Sequence, residues 1–317
     1  MDKQQLNEAI LSSIGGNDIG IEIYFGLRNG ELKKANFIDE VQQEIKVTFV
    51  NYIREHVVEN TEYQVIALSQ ADNRSNVIYH FDYNTLPDDL NFFNEVLDSE
   101  TQHELFSFRE DNLNEINFFL FLIGDIEHQI VLYKQLSPIH VYNQNSGLFV
   151  RKSNNEFVKV DSDFLRIVPG VEMFKVNGQL YILNLNLLER KFKIYDVIRS
   201  LALTQIEIIQ GTGLIENPNK LSDHLGNTTF ARKLSRISEH SPVLGKIPNE
   251  NIISFTKTYR SLRKKFTYSE DNSQIKLTTK KSVELFIKLL NDDFLTSELT
   301  TTYYDSIAKD PLNEEIE

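Results

Sequence analysis

The sequence contains no cysteine, which excludes disulfides, thiolate zinc or iron–sulfur ligation and a cysteine nucleophile. It also lacks any long apolar run. The most apolar stretch, I-N-F-F-L-F-L-I-G at 116–124, is half the length needed to cross a bilayer and is bracketed by Asn117 and Asp125. It reads as a buried strand. The first residues, M-D-K-Q-Q-L-N-E-A-I, are polar and acidic where an export signal is basic and then apolar, so none is expected.

Motifs of common catalysis are missing as well. The seven histidines, at 56, 80, 103, 128, 140, 224 and 240, show no H-x-x-x-H or H-E-x-x-H spacing. No G-x-x-x-x-G-K-[ST], G-x-G-x-x-G or G-x-S-x-G occurs, and G-N-D-I-G and Q-G-T-G lack the partner residues that a phosphate cradle needs. Two E-x-K triplets, Glu31-Leu32-Lys33 and Glu189-Arg190-Lys191, satisfy half of an acid-and-lysine nuclease pattern, with Asp18 and Glu22 upstream of the first. Such triplets arise often by chance. Glu31 also follows a turn, where the pattern wants a strand interior. Metal-dependent nuclease activity is therefore carried only as an alternative to a non-catalytic protein without metal or cofactor.

What is present is an ordinary globular composition in a chain of 317 residues, 41% hydrophobic and 25% charged. That length exceeds what one core usually serves, so two domains are expected. Charge is spread unevenly. Residues 1–150 hold 9 Lys/Arg against 24 Asp/Glu, whereas 218–266 hold 10 against 3. An acidic half joined to a basic patch points to a polyanionic partner, or equally to two complementary protein surfaces.

Local patterns outline the elements. Alternation at 19–25 followed by R-N-G predicts a hairpin, and the apolar spacing over 39–58 predicts a helix. Two runs at 63–69 and 76–81 flank A-D-N-R-S and suggest a second hairpin. A short helix at 87–97 and paired strands at 117–123 and 129–133 follow. Prolines, asparagines and Gly147 cluster at 137–147 and suggest the domain boundary. Three short strands come next, then a hairpin around Asn177-Gly178 and a helical pattern over 187–210 that ends at Gly211 and Gly213. A last helix is expected at 281–290. The fold class is therefore mixed α/β (α+β), with largely antiparallel sheets built from hairpins and a helical basic C-terminal segment. The expected domains are an acidic 1–140, suited to protein interaction or self-association, and 141–317.

The basic segment carries the functional signal. In T-K-T-Y-R-S-L-R-K-K-F, at 256–266, five of eleven residues are cationic. Continued as a helix over 252–266, Ile252, Phe255, Tyr259, Leu262 and Phe266 share one side and Lys257, Arg260 and Lys264 the other, with Arg263 and Lys265 adding charge. A helix at 229–239 repeats the arrangement, with Phe230, Leu234 and Ile237 in a stripe and Arg232, Lys233 and Arg236 away from it. These eight cations are the candidate nucleic-acid contacts, since Lys and Arg neutralise phosphates without sequence preference. The same faces would also suit an acidic protein surface, a calmodulin-like partner or a lipid surface. Tyr259 falls on the apolar side, which argues against base stacking as the main mode.

Beyond residue 150, V-N-G-Q-L-Y-I-L-N-L-N-L-L-E-R-K-F at 176–192, K-L-S-R-I-S-E-H-S-P-V-L and T-K-K-S-V-E-L-F-I-K-L-L-N-D-D-F-L-T-S-E-L-T resemble the Kiwa anti-phage KwaB-like family. The resemblance covers about half of the chain and leaves the first 140 residues unassigned. It implies a cytosolic bacterial protein that binds DNA without known catalysis and self-associates as a homodimer or larger homo-oligomer. It also implies a small transmembrane partner, KwaA, that recruits the protein to the inner membrane.

Overall fold

Strand 116–124 is apolar apart from Asn117 because both of its faces are covered. It lies third in an eight-stranded sheet, in the computed structural model that describes residues 2–16, 18–71, 75–142, 149–160, 162–296 and 303–305. The chain divides into two units, Met1–Ala67 with Ser75–Phe192 and Leu68–Arg74 with Lys193–Glu317.

The first unit begins with α1 (Lys3–Ile14), whose N-terminus Asp2 and Gln5 close as a capping box. Then come β1 (Gly20–Leu27), β2 (Leu32–Lys34), α2 (Asp39–Ile53), β3 (Gln64–Ala67), β4 (Val77–His80) and α3 (Phe92–Glu95). The sheet continues with β5 (Ile116–Gly124) and β6 (Gln129–Gln135). Short strands β7 (Val141–Tyr142), β8 (Val150–Ser153), β9 (Glu156–Lys159) and β10 (Phe164–Leu165) form two separate ribbons, β7 with β10 and β8 with β9. The unit ends with β11 (Met173–Val176), β12 (Gln179–Ile182) and α4 (Leu185–Lys191).

Sheet order is β2-β1-β5-β6-β11-β12-β4-β3. Against one face, Leu6 and Ile10 of α1 and Phe49 of α2 join Phe121, Leu132 and Phe174 in the core. Phe49 stacks on Phe121 with ring centroids 4.0 Å apart. On the other face Tyr133 meets Phe92, Phe118 and Phe192 at 5.6, 4.9 and 5.7 Å. The expected hairpins at Asn29-Gly30 and Asn177-Gly178 both form. Asn177 and Gly178 take positive φ, 48° and 76°, which a two-residue turn matched to the strand twist requires.

Two expectations about this unit are corrected. The pair β3 and β4 is parallel, with Gln64 opposite Val77 and Ala67 opposite His80, and is not a hairpin. A hairpin reverses the chain in a few residues, whereas here the connection leaves the sheet and Leu68 and Ala71 are buried in the second unit. The division of the chain also falls after Phe192 rather than near 140. Strands β11 and β12 complete the sheet, with Phe174 paired to Leu132 and Tyr181 to His80, so a cut near 140 would split one hydrogen-bonded layer. Part of the expected boundary, 143–147, lies outside the described residues.

The second unit is mostly helical: α5 (Ile194–Gly211), α6 (Asn219–Ser222), α7 (Thr228–Ser235), α8 (Ile237–His240), α9 (Asn249–Thr258) and α10 (Lys280–Leu290). The expected helix over 187–210 is two helices, because Lys193 between α4 and α5 takes φ 32° and breaks the run. Ile198, Ala202, Ile206 and Ile209 recur along the buried stripe of α5. Two ribbons complete the unit, β13 (Thr267–Tyr268) with β14 (Ile275–Lys276), and β15 (Phe294–Thr296) with β16 (Tyr303–Asp305).

One ion pair in the first unit has a measurable consequence. Lys33 Nζ lies 2.7 Å from Asp111, whose carboxylate also accepts the Ser107 backbone N–H. Those two hydrogen bonds, Lys33 foremost, hold the Asp111 carboxyl below its ordinary range. A depressed carboxyl stabilises the fold above the unfolded value, near 3.9, and the contribution fades as pH falls through the folded value. The expected result is that Asp111→Asn lowers the Tm at pH 6, and that the gap to the unsubstituted protein narrows as pH is taken down below the unfolded value. A constant gap would exclude the assignment.

Candidate nucleic-acid interface

The two basic segments fold differently from one another and from the continued helices expected of them. Helix α7 starts where Asn227 accepts the backbone N–H of Phe230 at 3.0 Å, a side-chain cap that fixes the first turn. It ends at Ser235, because Arg236 leaves helical geometry at φ −134° and ψ 28°, and α8 resumes at Ile237. Helix α9 ends at Thr258 instead of continuing to 266. Tyr259 turns to extended geometry at ψ 125°, and the next residues wind through turns in which Leu262 and Arg263 donate to the Tyr259 carbonyl and Lys264 takes φ 67°.

Physical reasons for that early end are legible in the side chains. The hydroxyls of Thr256 and Thr258 bond back to the carbonyls of Ile253 and Ser254 at 2.7 and 3.0 Å, a competition with helical hydrogen bonding that short polar side chains favour. A continued helix would also set Arg260 beside Arg263 and Lys264, like-charge pairs each costing about 0.2–0.5 kcal/mol. The apolar set still anchors the segment: Ile252, Leu262 and Phe266 are buried, and Phe255 stacks on Tyr259 at 4.7 Å. The result is a strap, 259–266, tied down by Leu262 and Phe266 and outwardly basic.

The eight candidate cations now separate into two groups. Arg232 is 2% exposed and donates from a guanidinium nitrogen to the Ala71 carbonyl at 2.8 Å. It is a buried structural residue, and the expectation that it faces outward is corrected. The stripe drawn for α7 took one face as buried, whereas this helix is enclosed on several sides, with Phe230, Ala231, Arg232, Leu234 and Ser235 all buried. Lys233 pairs with the buried Asp293 at 3.5 Å, and Arg236 pairs with Glu239. Both spend their charge within the fold.

The other five lie outside, Lys257 on the last turn of α9 and four on the strap. Lys257 lies over the Tyr268 ring, 4.5 Å from its centroid, and donates to Asn272 at 3.2 Å. That holds the ammonium on the surface without neutralising it. Arg260, Arg263, Lys264 and Lys265 are exposed, and make no hydrogen bond or ion pair through their side chains among the described residues. Five positive charges within nine residues face solvent together, with no carboxylate paired to any of them among the described residues.

The E-x-K residues are placed otherwise. Lys33 is held by Asp111, Glu31 accepts from Asn29 at 2.8 Å, and Glu22 accepts from Lys34 at 2.6 Å. Lys191 donates to Asn117 at 3.0 Å. Among the described residues no group of three or more metal-ligating side chains is assembled. No helix among them is long and apolar enough to cross a membrane.

Sequence reasoning missed one feature beside the strap. A cavity of about 570 Å³ lies in the second unit, and its lining includes Asn249, Glu250 and Ser254 of α9, Lys257, and Asn272 and Gln274 from the β13–β14 turn. These polar residues come from separate segments, so no spacing in the sequence links them.

Fold and site together define an α+β protein in which a sheet unit precedes a helical unit carrying a cationic strap unpaired among the described residues. The family described as Kiwa protein KwaB-like matches residues 113–300, and the chain belongs to that family. It is also 30% identical over 316 residues to Kiwa protein KwaB of Escherichia coli O55:H7 (strain RM12579 / EPEC), covering 99% of this chain and 100% of that protein. The likeness therefore extends into the acidic first half, which the resemblance read from the sequence had left unassigned. No solved structure matches the chain. Membership of the Kiwa family implies a role in defence against phage.

Proposed function

We propose that this protein is a non-catalytic DNA-binding effector of the Kiwa system that grips duplex phosphates with Lys257, Arg260, Arg263, Lys264 and Lys265. The observation that carries the reading is the strap itself. Four of those cations have no side-chain partner among the described residues, in a chain of formal net charge −13. Protein-wide charge would otherwise repel DNA, so a surface that binds it must concentrate its cations locally, as the strap does. Contacts to the phosphate backbone position the protein without reading bases, which suits an effector that must act on varied invading sequences. The reading includes self-association and a small membrane-spanning KwaA-like partner that brings the protein to the inner membrane.

A salt titration tests it. With about five phosphate contacts, log affinity for duplex DNA should fall against log salt with a slope of roughly −4 to −5. Absence of duplex binding at 0.15 M salt, together with salt-sensitive self-association, would favour docking of the strap on an acidic protein surface. Degradation of the DNA on adding a divalent metal, lost in Glu31→Ala or Lys33→Ala, would instead establish a nuclease.

A further inference from the structure

The cavity beside the strap has a chemistry of its own. Three carboxamides line it, and each is pinned at one end. Asn249 donates to the Thr212 carbonyl at 2.8 Å, Gln274 donates to the Gly213 carbonyl at 2.9 Å, and Asn272 accepts from Lys257 at 3.2 Å. Pinning fixes which group each amide has left. The carboxamide oxygens of Asn249 and Gln274 and the amide nitrogen of Asn272 have no partner among the described residues, and neither do the Glu250 carboxylate and the Ser254 hydroxyl. The turn that presents Asn272 is itself braced, since Ser269 and Ser273 donate to Asp271 at 2.6 and 2.7 Å and hold its carboxyl down to about 2.

We infer that this cavity receives an unpaired nucleobase, guanine in preference to thymine, from DNA held by the strap. The inference rests on the proposed phosphate grip and assigns a second role to the same region. Lys257 belongs to both, lining the cavity from α9 and belonging to the proposed phosphate grip beside the strap. Its volume, about 570 Å³, is ample for one base with its sugar. The unsatisfied groups are mostly acceptors: two amide oxygens and a carboxylate. They call for a ligand edge rich in N–H donors. Guanine offers N1–H and the N2 amino group for a carboxylate and an amide oxygen, and its O6 can accept from the Asn272 amide. Thymine has a single N–H on that edge. A base inside a duplex cannot reach such a pocket, so the preferred substrate is one already out of the stack, which spares the cost of unpairing.

The test measures affinity at 0.15 M salt for four otherwise identical duplexes: fully paired, with one bulged guanine, with one bulged thymine, and with one abasic bulge. The abasic bulge reproduces the distortion without the base. The bulged guanine should bind about tenfold tighter than the abasic bulge, as expected of one good bidentate contact, and the bulged thymine within about twofold of it. Glu250→Gln should erase the guanine preference while leaving affinity for paired DNA unchanged or slightly raised. Equal binding of the bulged guanine and the abasic bulge would overturn the inference, as would a guanine preference that survives Glu250→Gln. In either case the phosphate grip stands if all four duplexes bind. Failure of every duplex to bind overturns the phosphate reading and this inference with it.

Discussion

Replacing Arg260, Arg263, Lys264 and Lys265 together by glutamine is expected to weaken binding to duplex DNA by roughly 100-fold or more at 0.15 M salt. Each phosphate contact releases counterions and contributes about 0.9 to the salt slope, so the slope should flatten from about −4.5 to near −1, the share left to Lys257. The fold should not register the change. None of the four side chains bonds to anything among the described residues, and exposed substitutions away from caps and ion pairs usually stay within about 0.5 kcal/mol. Buried Leu262 and Phe266, which hold the strap in place, are untouched. An unaltered slope with intact binding would move the DNA contacts elsewhere. Weaker binding with a lowered Tm would instead mean that the cations act through the fold. Glutamine is preferred to glutamate here because charge reversal would add long-range repulsion to the loss of contacts.

How much of the fold and the interface was legible in the sequence varies with the physics involved. Hairpins at Asn29-Gly30 and Asn177-Gly178 were readable because tight turns need positive φ, taken by Gly30 in the first and by both Asn177 and Gly178 in the second, and only a few residues supply it cheaply. Strand β5 was readable because an apolar run of that length must be covered on both faces. The parallel pairing of β3 and β4 was not, since turn-rich residues between two strands look alike whether the chain reverses or crosses over. Nor was the division after Phe192. Prolines and asparagines near 140 suggest a break in the sequence, but sheet pairing between strands on either side of it is a long-range fact. At the site, charge density located the strap, because five cations in eleven residues need no geometry to be noticed. Helical phasing failed where it was extrapolated, past Thr258 and around α7. It assigns a face to each residue but cannot say how many faces the rest of the fold will cover.

Because Arg232 is enclosed, its substitution should act on stability and leave DNA binding alone. It is among the largest fully buried side chains in the protein, and its guanidinium serves the Ala71 carbonyl on a segment, Leu68–Arg74, that belongs to the helical unit through space and not through sequence. Arg232→Ala empties the volume of the aliphatic stem and strips a buried carbonyl of its donor. Cavity and unmet hydrogen bond together should cost about 3 kcal/mol, lowering Tm by roughly 4–5 °C for a chain of 317 residues. Arg232→Met keeps most of the stem, and should recover about half of that loss while still lacking the donor. The contrast between the two separates packing from hydrogen bonding. Neither should change the affinity of the folded protein for duplex DNA by more than about twofold, because a residue 2% exposed presents almost nothing to a phosphate. If Arg232→Met instead kept its Tm and lost DNA binding, the guanidinium would have to reach solvent in the bound state. The unit around α7 would then open when DNA binds.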